Sequence, residues 1–145
     1  RHPDMSLIID LSHAPYKAKV RYIKSLLPML ASHRHRTGLP HRIVIDEAHY
    51  FLHEPNIGEL LDLTLGAYTF VTYRLSDLHP DLRKEIQGII VKRTTNVHEV
   101  QTLVAMVPSN ETQIDWKSIL ASLAFHEAVL LPGIEEATHL LADIR

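Results

Sequence analysis

Two adjacent carboxylates, Asp46 and Glu47, follow a short apolar run and are the residues of this sequence best suited to chemistry. The run before them, 43–45, reads Ile-Val-Ile, a pattern typical of a strand buried on both faces in a parallel sheet. Because side chains alternate along a strand, the two carboxylates should leave it in different directions. One could then hold a hydrated Mg²⁺ while the other positions or deprotonates a water molecule. This pair predicts a site at the carboxyl edge of a sheet, where ligands of open α/β folds bind.

The elements that must position this pair follow from the spacing of apolar residues. Runs rich in β-branched and aromatic residues predict strands at 6–12, 42–47, 67–73, 88–92 and 127–131. Helical spacing and terminal residues predict helices in the segments 14–38, 58–65, 77–87, 96–107 and 115–123. Alternating strands and helices indicate an α/β fold with a mostly parallel sheet flanked by helices. We expect strand 42–47 to lie between the other two amino-terminal strands, and a position at the sheet edge would speak against this arrangement.

Length and composition are those of one domain, residues 1–145, with 46% hydrophobic residues and a net charge of −2. The bulk charge therefore does not indicate nucleic-acid binding, although a local basic groove would be compatible with it. The sequence contains no cysteine, so it has no disulfide framework and suits the cytoplasm. It also lacks a signal peptide and any apolar run long enough for a bilayer, so we expect no membrane partner. The abrupt ends suggest a piece of a longer chain.

Two motifs resemble those of one ATPase family. The segment Ile43 to His49 resembles the second nucleotide-binding motif, Walker B, of P-loop ATPases that use a catalytic glutamate. The segment Phe70 to Leu78 is similar to the sensor strand of HerA/FtsK-like translocase ATPases, which often carry Thr-Gln or Ser-Gln there, then Arg and a Pro-Ser-Asp-Leu-like stretch. The resemblance covers roughly residues 6–132 and implies a partial RecA-like P-loop fold, the carboxyl-terminal part of the ATPase core.

This resemblance implies roles for four residues. Asp46 would coordinate Mg²⁺ through water, Glu47 would be the catalytic base near the nucleotide, and Thr72 with Arg74 would form the sensor. The cofactors would be ATP and Mg²⁺, and the family implies a ring-forming homo-oligomer that moves DNA. The motif Gly-x-x-x-x-Gly-Lys-Ser/Thr is absent from these 145 residues. In the family that phosphate loop lies upstream, so ATP would be gripped there, and this segment alone would be inactive.

A missing upstream strand would also alter the sheet, because in the family it separates the sensor strand from the strand after it. We expect strands 67–73 and 88–92 either to pair directly or to offer open edges to a second copy. Strand 42–47 at a sheet edge, or antiparallel to 67–73, would contradict the ATPase assignment itself. Tyr73 stands where the family usually has Gln, so sensing by that amide is not carried over.

Other interpretations remain open. Asp46 to His49 also spells the Asp-Glu-Ala-His of superfamily-2 helicases, but the segment 71–74 lacks their Ser-Ala-Thr. A non-catalytic scaffold descended from such an ATPase is a further alternative, which the upstream sequence would decide.

Several basic residues have a functional and a structural interpretation. His49 and His53 could share one helix face toward Zn²⁺, but no third ligand is evident, and two histidines near a sheet edge is the simpler interpretation. The run 33–36, His-Arg-His-Arg, could contact DNA phosphates, although we expect a solvated helix terminus. Arginines 74, 83 and 93 could each donate charge to ATP, in this or a neighbouring subunit, but a surface ion pair is the expected role of each.

Overall fold

The computed structural model describes residues 5–38, 41–107, 114–132 and 140–143. The chain divides into two compact units, Arg1–Tyr73 and Arg74–Arg145. The first unit contains four principal elements: α1 (Tyr16–Thr37), β1 (Ile43–Ile45), α2 (Ile57–Leu60) and β2 (Tyr68–Phe70). The second contains six: α3 (Pro80–Lys84), β3 (Gly88–Val91), α4 (Val97–Val104), α5 (Trp116–Ser122), β4 (Glu127–Pro132) and β5 (Leu140–Asp143). Among the described residues, no helix has the length and apolar character required to cross a bilayer.

Helix α1 is the longest element and ends as its sequence predicts. Gly38 adopts the left-handed conformation, with φ of 65°, and its N–H donates to the carbonyl of Arg34 at 2.8 Å. The helix continues through Pro28, which has no N–H to donate to the preceding turn. Helix α2 and the 3-10 turn at Leu63–Leu65 both pack against α1. The predicted helix 58–65 is therefore two short pieces, because Asp62 starts a new turn by accepting from the N–H of Thr64.

Strands β1 and β2 form a parallel pair in which Ile43, Val44 and Ile45 lie opposite Tyr68, Thr69 and Phe70. The parallel pairing predicted for 42–47 and 67–73 is confirmed. Burial on both faces is wrong, since Val44 is 60% exposed while Ile45 is 6% exposed. In the described part of the chain this sheet has two strands, and Val44 and Thr69, which lie opposite each other, are both exposed.

The strand predicted at 6–12 is wrong. Residues 5–11 form no strand, and Leu7 and Ile8 are 84% and 90% exposed. Asp10 instead turns the chain locally by accepting from the N–H of Ser12 at 2.8 Å. The predicted strand order fails on this side, and β1 lies at an edge of its sheet within the described residues, the position that we expected to contradict the ATPase assignment. Its pairing with β2 is parallel, as that assignment requires. An apolar run favours a strand only where a neighbour supplies backbone partners, and that pairing is a tertiary property.

The second unit has its own sheet and its own core. Strands β3, β4 and β5 are consecutive antiparallel neighbours, so β3 pairs with β4 and not with β2. The alternative of open strand edges available to a second copy stays a prediction. Helices α4 and α5 pack together, and the core they share with the strands contains Val100, Leu103, Trp116, Leu120, Leu123, Val129 and Leu131. Asn96 caps α4 as predicted, its Oδ1 accepting from the N–H groups of His98 and Glu99.

Candidate functional site

Asp46 and Glu47 form the turn that follows β1, where the sequence predicted the site. The parallel ladder continues into this turn, because the N–H of Val71 donates to the carbonyl of Ile45 at 2.9 Å. The N–H of Ala48 then donates to the carbonyl of Val71 at 3.0 Å. These two bonds fix the turn against the end of β2 and bring Thr72 beside it. The carboxyl ends of the two parallel strands thus present their polar residues at one edge of the sheet.

Asp46 is exposed, and its Oδ1 accepts from the N–H of Glu47 at 2.9 Å. This bond orients the carboxylate while the side chain stays accessible to a ligand. Mg²⁺ in nucleotide sites is usually held by one or two carboxylates together with substrate phosphates and water. A single oriented carboxylate fits that mode of binding. The described residues contain no group of three or more His, Cys, Asp or Glu side chains that could form an all-protein metal cage.

Glu47 adopts a left-handed backbone conformation, with φ of 51° and ψ of 42°. Such a conformation is unfavourable for a residue with a side chain and is concentrated at functional sites. It ends the strand and starts the 3-10 turn Ala48–Tyr50. The Glu47 side chain is 47% exposed, yet its Oε2 is buried and lies 3.5 Å from Nδ1 of His49. The carboxylate is thus accessible from solvent on one side and contacts an imidazole on the other.

His49 is buried, and the same Nδ1 lies 3.0 Å from Oγ1 of Thr72. The ring packs beside Tyr50, with centroids 4.3 Å apart, and edge-on to Tyr73 at 4.7 Å. The proposed base and the proposed sensor threonine therefore contact one imidazole nitrogen. His53, the other histidine considered for Zn²⁺, places its Nδ1 3.1 Å from the His49 carbonyl.

The remaining basic candidates occupy different places. Arg74 belongs to the second unit, where its Nη1 lies 3.6 Å from Oδ2 of Asp77. Arg34 is buried, so the prediction of a solvated terminus is wrong for this residue. Its Nη2 donates to the carbonyls of Leu65 and Gly66, both at 2.9 Å. Arg34 therefore connects α1 to the turn before β2.

The importance of His49 was missed by sequence reasoning, which treated this residue as an incidental histidine near a sheet edge. One signal could have found it. When parallel strands 42–47 and 67–73 are aligned at their polar ends, Thr72 comes opposite the Asp46–Ala48 turn. Any polar side chain just after that turn then becomes a candidate partner for Thr72.

The fold resembles that of a solved NTPase. The genome packaging NTPase B204 from Sulfolobus turreted icosahedral virus 2, in complex with AMPPCP, matches with a TM-score of 0.65 at 19% identity, over 87% of this chain. Its complex with ATP-gammaS matches at 20% identity and its complex with sulfate at 17%, each with a TM-score of 0.65. The sulfate complex is matched over 98% of this chain and 79% of its own chain. The chain spans 62% of the length of the AMPPCP and ATP-gammaS structures.

These comparisons show that the chain shares the α/β fold of the packaging NTPase, which is consistent with the predicted partial RecA-like core. The predicted fold class is confirmed, although the sheet of the second unit is antiparallel and β1 lies at an edge. No protein-family model matches the sequence, and no curated protein matches it.

Proposed function

We propose that this chain is part of an ATP-hydrolysing motor of the HerA/FtsK-like P-loop type, and that the β1–β2 edge is its Walker B and sensor region. The observation that carries the proposal is the contact of Glu47 and Thr72 with one buried imidazole at the carboxyl ends of two parallel strands. Parallel strands that end in an exposed Asp and a half-exposed Glu supply the two carboxylates that nucleotide hydrolysis uses for the metal and for the attacking water. The similar fold of a packaging NTPase, solved with ATP analogues, supports the same class.

In this proposal each of the four candidate side chains has a separate role. Asp46 would hold Mg²⁺ through water, and the metal would offset negative charge on the phosphates. Glu47 accepts a proton from the water that attacks the γ-phosphate, since its exposed side chain can reach solvent. Thr72 contacts the terminal phosphate or the attacking water as the sensor, and Arg74 contributes charge near the same step. In this proposal the groups that bind the phosphates are supplied from outside residues 1–145, because the sequence contains no phosphate loop.

The proposal extends to partners by analogy. Genome packaging by the similar viral NTPase indicates nucleic acid as the polymer that a motor of this type would move. A homo-oligomer would let an arginine of one subunit reach the nucleotide of the next. A non-catalytic scaffold is the second candidate: an intact phosphate loop upstream of these residues would support the enzyme, and a degenerate one would support the scaffold.

The test is Glu47→Gln in the intact protein. We expect ATP binding to persist and hydrolysis to fall about 100-fold or more, the usual scale for a positioned acid–base group. Glu59→Gln, an exposed acid in α2, is the matched control and should hydrolyse ATP at the parent rate. Parent-rate hydrolysis by Glu47→Gln would remove Glu47 from the mechanism, and an intact protein that never hydrolyses ATP would favour the scaffold.

A further inference from the structure

His49 is a buried titratable side chain that the proposed mechanism leaves without a role. Its side chain is 2% exposed and lies within reach of two functional groups, Oγ1 of Thr72 at 3.0 Å and Oε2 of Glu47 at 3.5 Å. A structural histidine in an apolar core would need a partner for each ring nitrogen. Here both contacts are made by Nδ1, and Nε2 has no hydrogen-bond partner among the described residues. The imidazole is therefore oriented toward the polar edge of the sheet.

This geometry favours one tautomer. A neutral imidazole carries its hydrogen on only one nitrogen. Hydrogen on Nε2 would leave a buried donor unpaired and would turn the Nδ1 lone pair toward the Glu47 carboxylate, and both effects are unfavourable. Hydrogen on Nδ1 leaves Nε2 as a buried acceptor without a partner among the described residues, but it removes the lone-pair contact with Glu47 and points the one hydrogen toward two oxygen acceptors. We therefore assign the Nδ1–H tautomer to His49.

A single Nδ1 hydrogen facing two acceptors can satisfy only one of them well. Donation to Thr72 turns the hydroxyl hydrogen of that residue away from the imidazole and leaves the Glu47 carboxylate free to turn toward solvent. Donation to Glu47 holds that carboxylate against the ring. The two acceptors, 3.0 Å and 3.5 Å away, therefore compete for one donor.

We infer that His49 is a positioning residue that couples the sensor Thr72 to the base Glu47 through this shared hydrogen. The coupling rests on the proposed function, since it regulates the same site. A change in what Thr72 binds alters its demand for the Nδ1 hydrogen, and the availability of Glu47 changes with it. The sensor thereby controls when the base can act. Tyr50 and Tyr73 pack against the ring and hold it in the plane that serves both contacts.

The kinetic test compares substitutions that keep or remove a donor at the Nδ1 position in the intact protein. His49→Leu should lower kcat for ATP hydrolysis about 10-fold with little change in KM, the scale found when residues that orient a catalytic group are lost. His49→Asn places an amide N–H near the Nδ1 position and should stay within about 3-fold of the parent, whereas His49→Gln places it beyond and should resemble His49→Leu. His13→Leu, at an exposed histidine, is the matched control.

Coupling is tested by combining His49→Leu with Thr72→Val. If the two residues act as one unit, the double variant should be no slower than the slower single variant by more than about 2-fold. Multiplicative losses would overturn the coupling. Unchanged kcat in His49→Leu, beside an inactive Glu47→Gln, would overturn the inference alone. Parent-rate hydrolysis by Glu47→Gln would overturn the proposed function and the coupling together.

The tautomer gives a readout that does not depend on hydrolysis. Imidazole nitrogen shifts measured by NMR on ¹⁵N-histidine protein, assigned by loss of the signal in His49→Asn, should show hydrogen on Nδ1. Thr72→Val and Glu47→Gln should each shift that nitrogen, while Glu59→Gln should not. Hydrogen on Nε2 would overturn the inference whatever the ATPase activity.

Discussion

Glu47 combines an unfavourable backbone with the chemistry assigned to its side chain. A left-handed conformation costs a residue with a side chain about 1–2 kcal/mol relative to glycine. The left-handed conformation changes the direction of the chain at Glu47. The two residues that follow then make contacts with the end of β2: Ala48 bonds to Val71, and His49 contacts Thr72. Stability at this position is therefore exchanged for placement of the carboxylate.

Glu47→Gly should stabilise the protein while abolishing its activity. Relief of the left-handed strain exceeds the added chain entropy of glycine, about 0.5–1 kcal/mol, so we expect a net gain of roughly 0.5–1 kcal/mol. Glu47→Ala removes the same carboxylate without relieving the backbone and is the matched control. Denaturant unfolding of both variants measures the difference. A glycine variant no more stable than the alanine variant would show that the turn is not strained.

At the scale of single residues, the sequence predicted the positions of the candidate side chains better than the contacts among them. Asp46 and Glu47 were candidates because acids after an apolar run are a local pattern, and Thr72 was a candidate because its segment resembles a sensor strand. The 3.0 Å contact between His49 and Thr72 depends on the register of two strands separated by 22 residues of chain, from Asp46 to Ala67. Burial of Arg34 likewise depends on the turn at Leu65–Gly66 that receives its hydrogen bonds.

At the scale of elements, helix ends are built from local chemistry. Asp115 caps α5: its Oδ1 accepts from the N–H of Ser118 at 3.2 Å and its Oδ2 from the Ser118 hydroxyl at 2.6 Å. These bonds, the hydroxyl bond first, hold the pKa of Asp115 below its ordinary value of 3.8. A lowered pKa means that the folded state favours the ionised carboxylate. The contribution is therefore complete above pH 3.8 and is lost as the pH falls through 3.8 toward the folded value.

Asp115→Asn isolates this contribution because asparagine caps a helix well but does not titrate. Near neutral pH we expect the parent to melt a few degrees above Asp115→Asn, since an ionised carboxylate also suits the helix amino terminus. At about pH 3 the difference in Tm should shrink, as Asp115 becomes partly protonated. Thermal scans of both proteins across this range measure it. A difference that does not change with pH would contradict the assigned hydrogen bonds.

The difference between contacts within one element and contacts with distant segments explains which elements could be predicted. The ends of α1 and α4 were predicted because Gly38 and Asn96 bond within one turn of their own helix. The strand expected at 6–12 was wrong because a strand is stabilised by partners distant in sequence. Strand 88–92 was predicted, but its antiparallel pairing with β4 was not, because two helices lie between the two strands in the sequence.

At the scale of the molecule, the described core consists of buried apolar clusters that lie within the units. In the second unit Leu120 is fully buried among Val100, Trp116 and Val129. The sequence predicted the apolar face of α4, because the spacing of its apolar residues is helical. It did not predict a division at Tyr73 and Arg74, since no change in composition marks that position. A single partial ATPase core spanning 1–145 stays a prediction.

Residues 1–145 alone should bind Mg-ATP weakly. In P-loop enzymes the affinity for nucleotide comes largely from backbone amides and a lysine that surround the phosphates, and no such motif occurs in this sequence. Asp46, Glu47 and Thr72 contribute two carboxylates and a hydroxyl, so without a metal they repel a polyphosphate. We expect a Kd of about 1 mM or weaker, equivalent to about 4 kcal/mol or less of binding free energy.

Calorimetry at high protein concentration measures this affinity, with circular dichroism confirming that the fragment is folded. Asp46→Asn should weaken what binding remains when Mg²⁺ is present, and should slightly strengthen it when Mg²⁺ is omitted, because one repelling charge is lost. Micromolar binding by the parent fragment would mean that these residues contain a phosphate site of their own.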